Sequence, residues 1–269
     1  MRTNKSQSVH HKHFNSEQFP QCSINGTIRT DTSCNISSHN ELTDTGSYIF
    51  SSCIWNACSA TNGGAIYVSE SDIELTVNNC QFLSCIATSN GSGIYAQPAS
   101  VVHVYHSLFS NCKAKGNGGN DGGGGMWISE VSVEVLITCT SFLSCTAKYD
   151  GGGVNMWNSN STNGNPDTFQ DCMFINCTGI SNNFLPSDMY CHEGGGILLW
   201  NNEYNVGIIN TLLSSCTNQY GGGIRITIST DPPSEFIRFF FFHKGVSHMV
   251  CPLTHLSCST CKGSFSIRS

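Results

Sequence analysis

Six cysteines recur along this chain at a nearly regular step, and this repeat limits the available folds more than any other feature. Successive cysteines are 27, 27, 33, 32 and 39 residues apart, and a large apolar residue stands three positions before each of them. Self-similarity at a period of this size is typical of chains that stack one supersecondary unit on the next. The six are Cys58, Cys85, Cys112, Cys145, Cys177 and Cys216.

Each of these cysteines is followed by a glycine-rich turn that ends in an aliphatic residue. From that aliphatic residue to the next cysteine of the series the distance is 18 or 19 residues in four of the five cases. Most of the variation in length therefore falls in the loop before the glycines, as expected of a solenoid with protruding loops. The turns are residues 63–66 (GGAI), 91–94 (GSGI), 123–126 (GGGM), 151–154 (GGGV), 194–197 (GGGI) and 221–224 (GGGI).

Hydrophobicity within a unit alternates with a period of two residues. Ile73, Leu75 and Val77 alternate with Glu74 and Thr76, which is the pattern of a half-buried strand, and no helical period appears. A unit has room for three short strands, with glycine at a corner where a side chain would clash. We therefore predict an all-β fold, a right-handed parallel β-helix of about six to seven coils.

The repeats divide the chain into three parts. Residues 1–46 are polar and are expected to form an arm or an N-terminal cap, and residues 47–243 hold the β-helix repeats around one continuous core. Phe240 and His243 fall where the aromatic residue and the cysteine of a degenerate seventh coil would belong. Residues 244–269 form an irregular tail that contains cysteine and histidine.

The glycine turns and the Phe-x-x-Cys step, as at residues 82–85, resemble the repeats of the polymorphic outer membrane protein family, within the pectin-lyase-like β-helix superfamily. The likeness covers about residues 50–230. The family's pattern carries Asn where this chain carries Cys. The resemblance implies a cell-surface or extracellular location and an adhesive role, and it brings no catalytic residue with it.

Charge and hydropathy exclude several classes of partner. Only 11% of residues are charged and the formal net charge is −6, so no basic stripe is available to neutralise phosphates and we expect no nucleic-acid partner. The first twenty residues lack the apolar core of a secretory signal, and no stretch approaches about 18 consecutive apolar residues. We therefore expect no membrane span in this chain.

Aromatic residues follow the aliphatic residue of the turn in the first three units. The alternation directs this position outward, so Tyr67, Tyr95 and Trp127 are expected to form an exposed stripe. Such rings could stack on sugars or dock a protein, because exposed apolar patches mark interaction sites. The alternative is that they only stabilise the sheet by stacking on one another.

Three carboxylates stand just before the glycine turns of successive units. Asp121, Asp150 and Glu193 would lie along one edge and could share a Ca²⁺ ion. The simpler interpretation is turn chemistry, since Asp and Asn are favoured beside Gly. We therefore expect no cofactor, and we keep the metal site as the alternative.

The regular step of the cysteines predicts that they stack inside the solenoid as a structural ladder, where thiols behave as small hydrophobes. Neighbouring coils also bring Cα atoms into the range of a disulfide, so oxidation remains an alternative. No arrangement of nucleophile and base is recognised. The sequence thus predicts a non-enzymatic surface or adhesion module that presents one face to glycans or surface proteins. The alternative is a polysaccharide-active lyase or hydrolase on the same scaffold.

Overall fold

A computed structural model describes residues 23–24, 35–36, 39–116, 122–157, 167–180, 194–200, 206–218, 222–227, 240–242, 249–250 and 266–268. The regular structure of these residues is β-strand only. Within the same residues, no helix has the length and apolar character needed to span a bilayer.

Four strands make one complete turn of the chain, and five complete turns follow one another. The strands before them are β1 (Ser23–Ile24), β2 (Asn35–Ile36), β3 (Asn40–Leu42) and β4 (Gly46–Ser51). The complete turns are β5 (Ile54–Asn56), β6 (Ser59–Ala60), β7 (Ile66–Val68) and β8 (Ile73–Asn78); β9 (Gln81–Leu83), β10 (Ile86–Ala87), β11 (Ile94–Ala96) and β12 (Ala99–Tyr105); β13 (Leu108–Ser110), β14 (Lys113–Ala114), β15 (Met126–Ser129) and β16 (Val131–Thr138); β17 (Ser141–Leu143), β18 (Thr146–Ala147), β19 (Val154–Trp157) and β20 (Asp167–Gln170); β21 (Met173–Ile175), β22 (Thr178–Gly179), β23 (Ile197–Trp200) and β24 (Val206–Ile209). A sixth, partial turn and the C-terminal strands are β25 (Leu212–Ser214), β26 (Ile224–Thr227), β27 (Phe240–Phe242), β28 (Met249–Val250) and β29 (Ser266–Arg268).

Strands at the same place in successive turns pair side by side and build four sheets. Pairing is parallel throughout, except that β1 meets β4 and β28 meets β27 antiparallel. The result is the parallel β-helix that the sequence predicts. Sheet A runs β1-β4-β8-β12-β16-β20-β24-β27-β28, sheet B runs β2-β5-β9-β13-β17-β21-β25, sheet C runs β3-β7-β11-β15-β19-β23-β26-β29, and sheet D runs β6-β10-β14-β18-β22.

The chain turns between sheets at corners in the left-handed backbone region. Glycine supplies this conformation between sheets D and C, for example at Gly63 with φ of 56° and Gly151 with φ of 57°. Non-glycine residues adopt it on both sides of sheet B, with φ between 49° and 56°. They are Ser52, Asn79, His106, Cys139, Asp171 and Asn210 before the sheet, and Ala57, Ser84, Asn111, Ser144, Asn176 and Ser215 after it.

An aromatic column fills the core behind sheet B. The inward residue of each strand stacks on its equivalent one turn away, with ring centroids 4.3 to 4.7 Å apart and planes within 9° of parallel. Every ring of the column is fully buried. Because the turns are in register, the residue three positions before each cysteine forms one continuous stack. The rings belong to Trp55, Phe82, Phe109, Phe142 and Phe174.

The structure differs from the sequence prediction in two details. Each turn has four strands and not three, because the two residues that follow the cysteine corner, as in Ser59–Ala60, form a short strand of sheet D. Two residues are too few for alternation to be recognised. Phe240 does not take the aromatic position of sheet B. It pairs with Gly207 in sheet A.

The described parallel strands extend ahead of residue 47. Asn40–Leu42 pairs in register with Ile66–Val68 in sheet C, and Asn35–Ile36 pairs with Ile54 and Trp55 in sheet B. Strands from residues 1–46, where the sequence predicts an arm or a cap, therefore pair with the turns of the β-helix.

Candidate functional site

The aromatic residues singled out by the sequence occupy one register position of sheet C. Tyr67, Tyr95 and Trp127 are paired Cα to Cα along the sheet. The two tyrosine rings are half-buried and lie 5.2 Å apart at 15°, and Tyr95 and Trp127 lie 6.4 Å apart at 9°. At these distances the nearly parallel rings stack along the sheet axis.

From the third turn onward, the residues at this position of sheet C are buried and not exposed as the sequence predicts. Trp127 is 4% exposed, and the equivalent residues Asn155, Leu198 and Arg225 are also buried. Strands β15, β19 and β23 carry buried residues on both faces, which suits their nearly continuous apolar sequences better than alternation does. The expectation of an exposed three-residue stripe was therefore wrong at Trp127.

Two further tryptophans extend the aromatic row and were not recognised in the sequence. Trp157 and Trp200 are register partners in sheet C, and both are half-buried. Trp127 meets Trp157 edge to face at 5.9 Å and 62°, and Trp157 meets Trp200 at 5.8 Å and 47°. Each stands three residues after the aliphatic residue of its turn, Val154 or Ile197, and this common offset was the available signal.

A polar contact is built into the middle of the aromatic row. The Gln97 Oε1 atom accepts hydrogen bonds from the Tyr95 hydroxyl at 2.6 Å and from the Trp127 Nε1 atom at 3.3 Å. The Gln97 Nε2 atom donates to Glu130 at 3.2 Å. This network fixes both rings, and it places an amide and a carboxylate beside them.

Of the three carboxylates that the sequence places along one edge, only Asp150 is among the described residues. Asp121 and Glu193 lie outside the described residues. Asp150 is 2% exposed, and its backbone carbonyl accepts a hydrogen bond from the Gly123 amide at 2.8 Å. This contact joins one glycine turn to the next. In the described part of the chain, no group of three or more His, Cys, Asp or Glu side chains is arranged to hold a metal ion.

The cysteines of the repeat lie at the corner between sheets B and D. Their backbone positions are linked from turn to turn, since the amide after each cysteine donates to the carbonyl of the cysteine one turn earlier, as Ile86 does to Cys58 at 2.8 Å. The side chains of Cys58, Cys85, Cys112, Cys145 and Cys177 are buried and that of Cys216 is half-buried. All ten cysteines in the described ranges are free thiols.

Burial and neighbouring thiols disfavour the thiolate form at Cys58 and Cys145, whereas hydrogen bonds from neighbouring thiols lower the pKa of Cys177 and, against the effect of burial, that of Cys112. Burial, together with hydrogen bonds to Cys112 and Cys177, raises the pKa of Cys145 well above its usual value. A hydrogen bond to Cys85, followed by burial, raises the pKa of Cys58. Thiols held in this state are poor nucleophiles and poor metal ligands at neutral pH.

A second polar cluster lies on the outer face of sheet A. The His103 Nε2 atom is 2.9 Å from the Glu134 Oε2 atom, and the rings of His103 and Tyr105 lie 5.7 Å apart. Burial, and secondarily the charge of Glu134, raises the pKa of Tyr105. Glu74 belongs to the same column as Glu134, since both are register partners of Val101. The sequence interpretation had not singled out this cluster.

Comparison with known proteins assigns no relative to this chain. No protein-family model, no curated protein and no solved structure matches it.

Proposed function

We propose that this protein is a non-enzymatic β-helical binding module of the cell surface or extracellular space, and that it recognises glycans or surface proteins through the outer face of sheet C. The observation that carries the proposal is the continuous row of Tyr67, Tyr95, Trp127, Trp157 and Trp200 along that face. Half-exposed aromatic rings in a row are characteristic of interaction surfaces. The resemblance to polymorphic outer membrane protein repeats supports the surface location.

The members of the row have different roles. Tyr67 and Tyr95 stack on each other, so they offer ring edges to a ligand, while the Tyr95 hydroxyl is held by Gln97. Trp157 and Trp200 are inclined at 47° and are half-buried, so their ring faces are the better platforms for the apolar side of a sugar ring. Trp127 is buried and supports its neighbours, while Gln97 and Glu130 supply hydrogen-bonding groups beside the rings.

A glycan array and a panel of matrix proteins, probed with the purified chain, test this proposal. We expect binding to at least one ligand class, and a loss of affinity of about 10-fold or more in the double variant Trp157→Ala/Trp200→Ala. The matched control is Tyr105→Ala, which removes a half-buried outward aromatic ring from sheet A. Absence of any binding, or equal loss in the control, would refute the proposal.

We further propose that the six repeat cysteines form a structural ladder of thiols with no chemical role. Their support is the shared register, the backbone hydrogen bonds that link each cysteine to the next turn, and the thiol hydrogen bonds to backbone carbonyls one turn earlier, such as Cys112 to Phe82 and Cys177 to Phe142. The native protein should react with a thiol reagent at these positions only after denaturation. Rapid labelling of the folded chain at Cys112 or Cys145 would contradict a purely structural ladder.

A polysaccharide-active lyase or hydrolase is the second candidate, and the cluster on sheet A favours it. Glu74 and Glu134 are two strands apart, so their backbones are separated by roughly 9.6 Å at a strand spacing of about 4.8 Å, and side-chain rotation can bring the carboxyl groups closer. Carboxyl groups of inverting glycosidases are about 6.5–9.5 Å apart. Release of reducing or unsaturated ends from polysaccharides, abolished by Glu134→Gln, would establish the enzyme and reject the non-enzymatic module.

A further inference from the structure

The corners that lead from sheet C to sheet A are acidic. The four described corners of this kind are residues 43–45, 69–72, 97–98 and 130, and four of their ten residues are Asp or Glu, whereas none is Lys or Arg. The whole chain holds 18 acidic residues in 269, so fewer than one would be expected among ten. These four residues, which we call the acidic border, are all exposed: Asp44, Glu70, Asp72 and Glu130.

The lysines of the described turns lie on the other side of sheet C, away from the acidic border. Lys113 belongs to sheet D, and Lys115 and Lys148 directly follow strands of that sheet. Neither Lys nor Arg occurs in the sheet C strands β3, β7, β11, β15, β19 and β23. Arg225 does belong to sheet C, in β26, but it is only 4% exposed. The field beside the first turns of the aromatic row is therefore negative.

Glu130 connects the acidic border to the aromatic row. Its backbone amide donates a hydrogen bond to the Trp157 carbonyl at 3.2 Å, and its Oε1 atom accepts one from the Gln97 Nε2 atom at 3.2 Å. Gln97 in turn accepts hydrogen bonds from Tyr95 and Trp127. The Glu130 side chain is exposed, and its Oε2 atom has no hydrogen-bond partner among the described residues. A carboxylate oxygen is therefore held next to the ring platform with its hydrogen-bonding capacity available to a ligand.

A carboxylate in this position distinguishes glycans by their charge. Charge-assisted hydrogen bonds are roughly twice as strong as neutral ones, so an ammonium group on the ligand binds Glu130 more strongly than a hydroxyl group does. A sulfate or carboxylate on the ligand would face the acidic border, and like charges brought together in this way disfavour binding. We therefore expect affinity to fall from amine-bearing to neutral to anionic glycans.

We propose that the aromatic row binds a glycan whose units carry protonated amines, and that Glu130 is the residue that selects it. The inference rests on the proposed function of sheet C as a glycan-binding face. Sugar rings stack on Trp157 and Trp200, whose inclined faces suit a sugar better than a basic peptide. An ammonium group donates to the Glu130 Oε2 atom, and Glu70 and Asp72 attract the amines of units that continue along the row.

Isothermal titration calorimetry of the full chain with oligomers of glucosamine and of N-acetylglucosamine, equal in length, tests the proposal. The two ligands differ only in carrying an amine or a neutral acetamide, and at about pH 5.5 amines are protonated while carboxylates are ionised. The glucosamine oligomer should bind at least about 10-fold more tightly in about 20 mM salt, and this preference should shrink in about 500 mM salt, which screens exposed charges. Equal affinities, or tighter binding of the acetylated oligomer, would overturn the proposal.

Glu130→Gln tests the selecting residue, because it removes the charge and keeps the shape of the side chain. The ratio of the two affinities should fall at least about 3-fold in this variant, while the affinity for N-acetylglucosamine oligomers stays within about 2-fold of wild type. Asp171→Asn is the matched control, since it makes the same change at an exposed corner between sheets A and B. It should keep the wild-type ratio. An equal fall in both variants would mean that net charge, and not Glu130, sets the preference.

The outcomes separate this inference from the function on which it rests. Tighter binding of a neutral or anionic glycan, lost in Trp157→Ala/Trp200→Ala, would leave the glycan-binding face in place and reject the preference for amines. Binding of a lysine-rich peptide but of no glycan would likewise reject an amine-bearing glycan as the ligand. If neither a glycan nor a protein ligand binds, the proposed function and the inference are both wrong.

Discussion

At the scale of single residues, the corners of sheet B explain why Cys, Ser and Thr replace one another. The residue after each corner donates its side-chain hydrogen to the carbonyl two positions earlier, as Cys172 does to Gln170 at 3.3 Å and Thr140 does to Thr138 at 2.9 Å. The same side chain also accepts a hydrogen bond in some turns, as the Ser107 Oγ atom does from the Cys80 amide at 3.1 Å. A buried thiol or hydroxyl therefore forms hydrogen bonds with backbone groups at the corner, where the chain leaves one sheet and enters the next.

Cys172 provides a test through the pH dependence of stability. Burial is the largest influence on this thiol and raises its pKa to about 12, against about 8.5 in an unfolded chain. The unfolded state therefore releases the proton first. The stabilisation is complete below about pH 8.5 and is lost as pH rises towards about 12, by about 1.4 kcal/mol per pH unit for this group.

Urea unfolding at pH 7.5 and pH 9.5 measures this loss. Cys172→Thr is the matched control, because Thr140 and Thr211 already occupy the equivalent corner of neighbouring turns. The variant should fold and should show a smaller fall in the free energy of unfolding at the higher pH. An identical fall in wild type and variant would show that Cys172 does not titrate as its burial requires.

Gly152 tests the close approach of the glycine turns. A Cβ atom on this residue would lie 2.4 Å from the Gly195 carbonyl oxygen and 2.4 Å from the Thr178 nitrogen. Both are backbone atoms that cannot move away alone, so Gly152→Ala should lower the free energy of unfolding by about 3 kcal/mol or more. Gly223→Ala is the control, since its nearest neighbour would be 3.7 Å away. Similar stabilities of the two variants by urea denaturation would disprove the expected clash.

At the scale of the strand and sheet, stacking between equivalent residues replaces the contacts that a layered domain makes between sheets. The inward ring of each sheet B strand packs on the next ring at 4.3 to 4.7 Å. The column ends at Leu213, which is only half-buried and lies in the partial sixth turn. Each strand is therefore stabilised mainly by its two neighbours along the axis.

Phe142 lies within this column, between Phe109 and Phe174. Phe142→Ala should cost about 3–5 kcal/mol, because it leaves a cavity and removes two ring contacts. Phe142→Leu should cost clearly less, about 1–2 kcal/mol, since an aliphatic side chain fills most of the space, as Leu213 does in the sixth turn. Chemical denaturation of both variants provides the comparison. Equal costs would mean that the stack contributes little beyond volume.

At the scale of the whole molecule, each turn contacts only the turns next to it, so we expect stability to differ between the middle and the ends of the β-helix. A central turn has neighbours on both sides, whereas a terminal turn has one. Amides of β9, β13 and β17 should therefore exchange with deuterium more slowly than those of β25, whose turn has only the isolated bridge of Thr217 to Thr178 in place of a described strand in sheet D. Hydrogen exchange followed by mass spectrometry measures the gradient. Uniform protection from β9 to β25 would indicate a single cooperative unit.

The sequence by itself determined the parallel β-helix, the register of its turns and the inward position of the repeat cysteines, such as Cys85. Those features follow from two periods, one of two residues and one of 27 or more, which any fold of this chain must satisfy. Only the tertiary structure decided which outward positions are exposed, as the burial of Trp127 and Arg225 demonstrates. It also revealed the fourth sheet and the corners with positive φ at residues such as Ala57. The physical reason is that alternation of apolar and polar residues indicates which side of a strand a side chain is on. Its exposure depends on packing by residues that are distant in sequence.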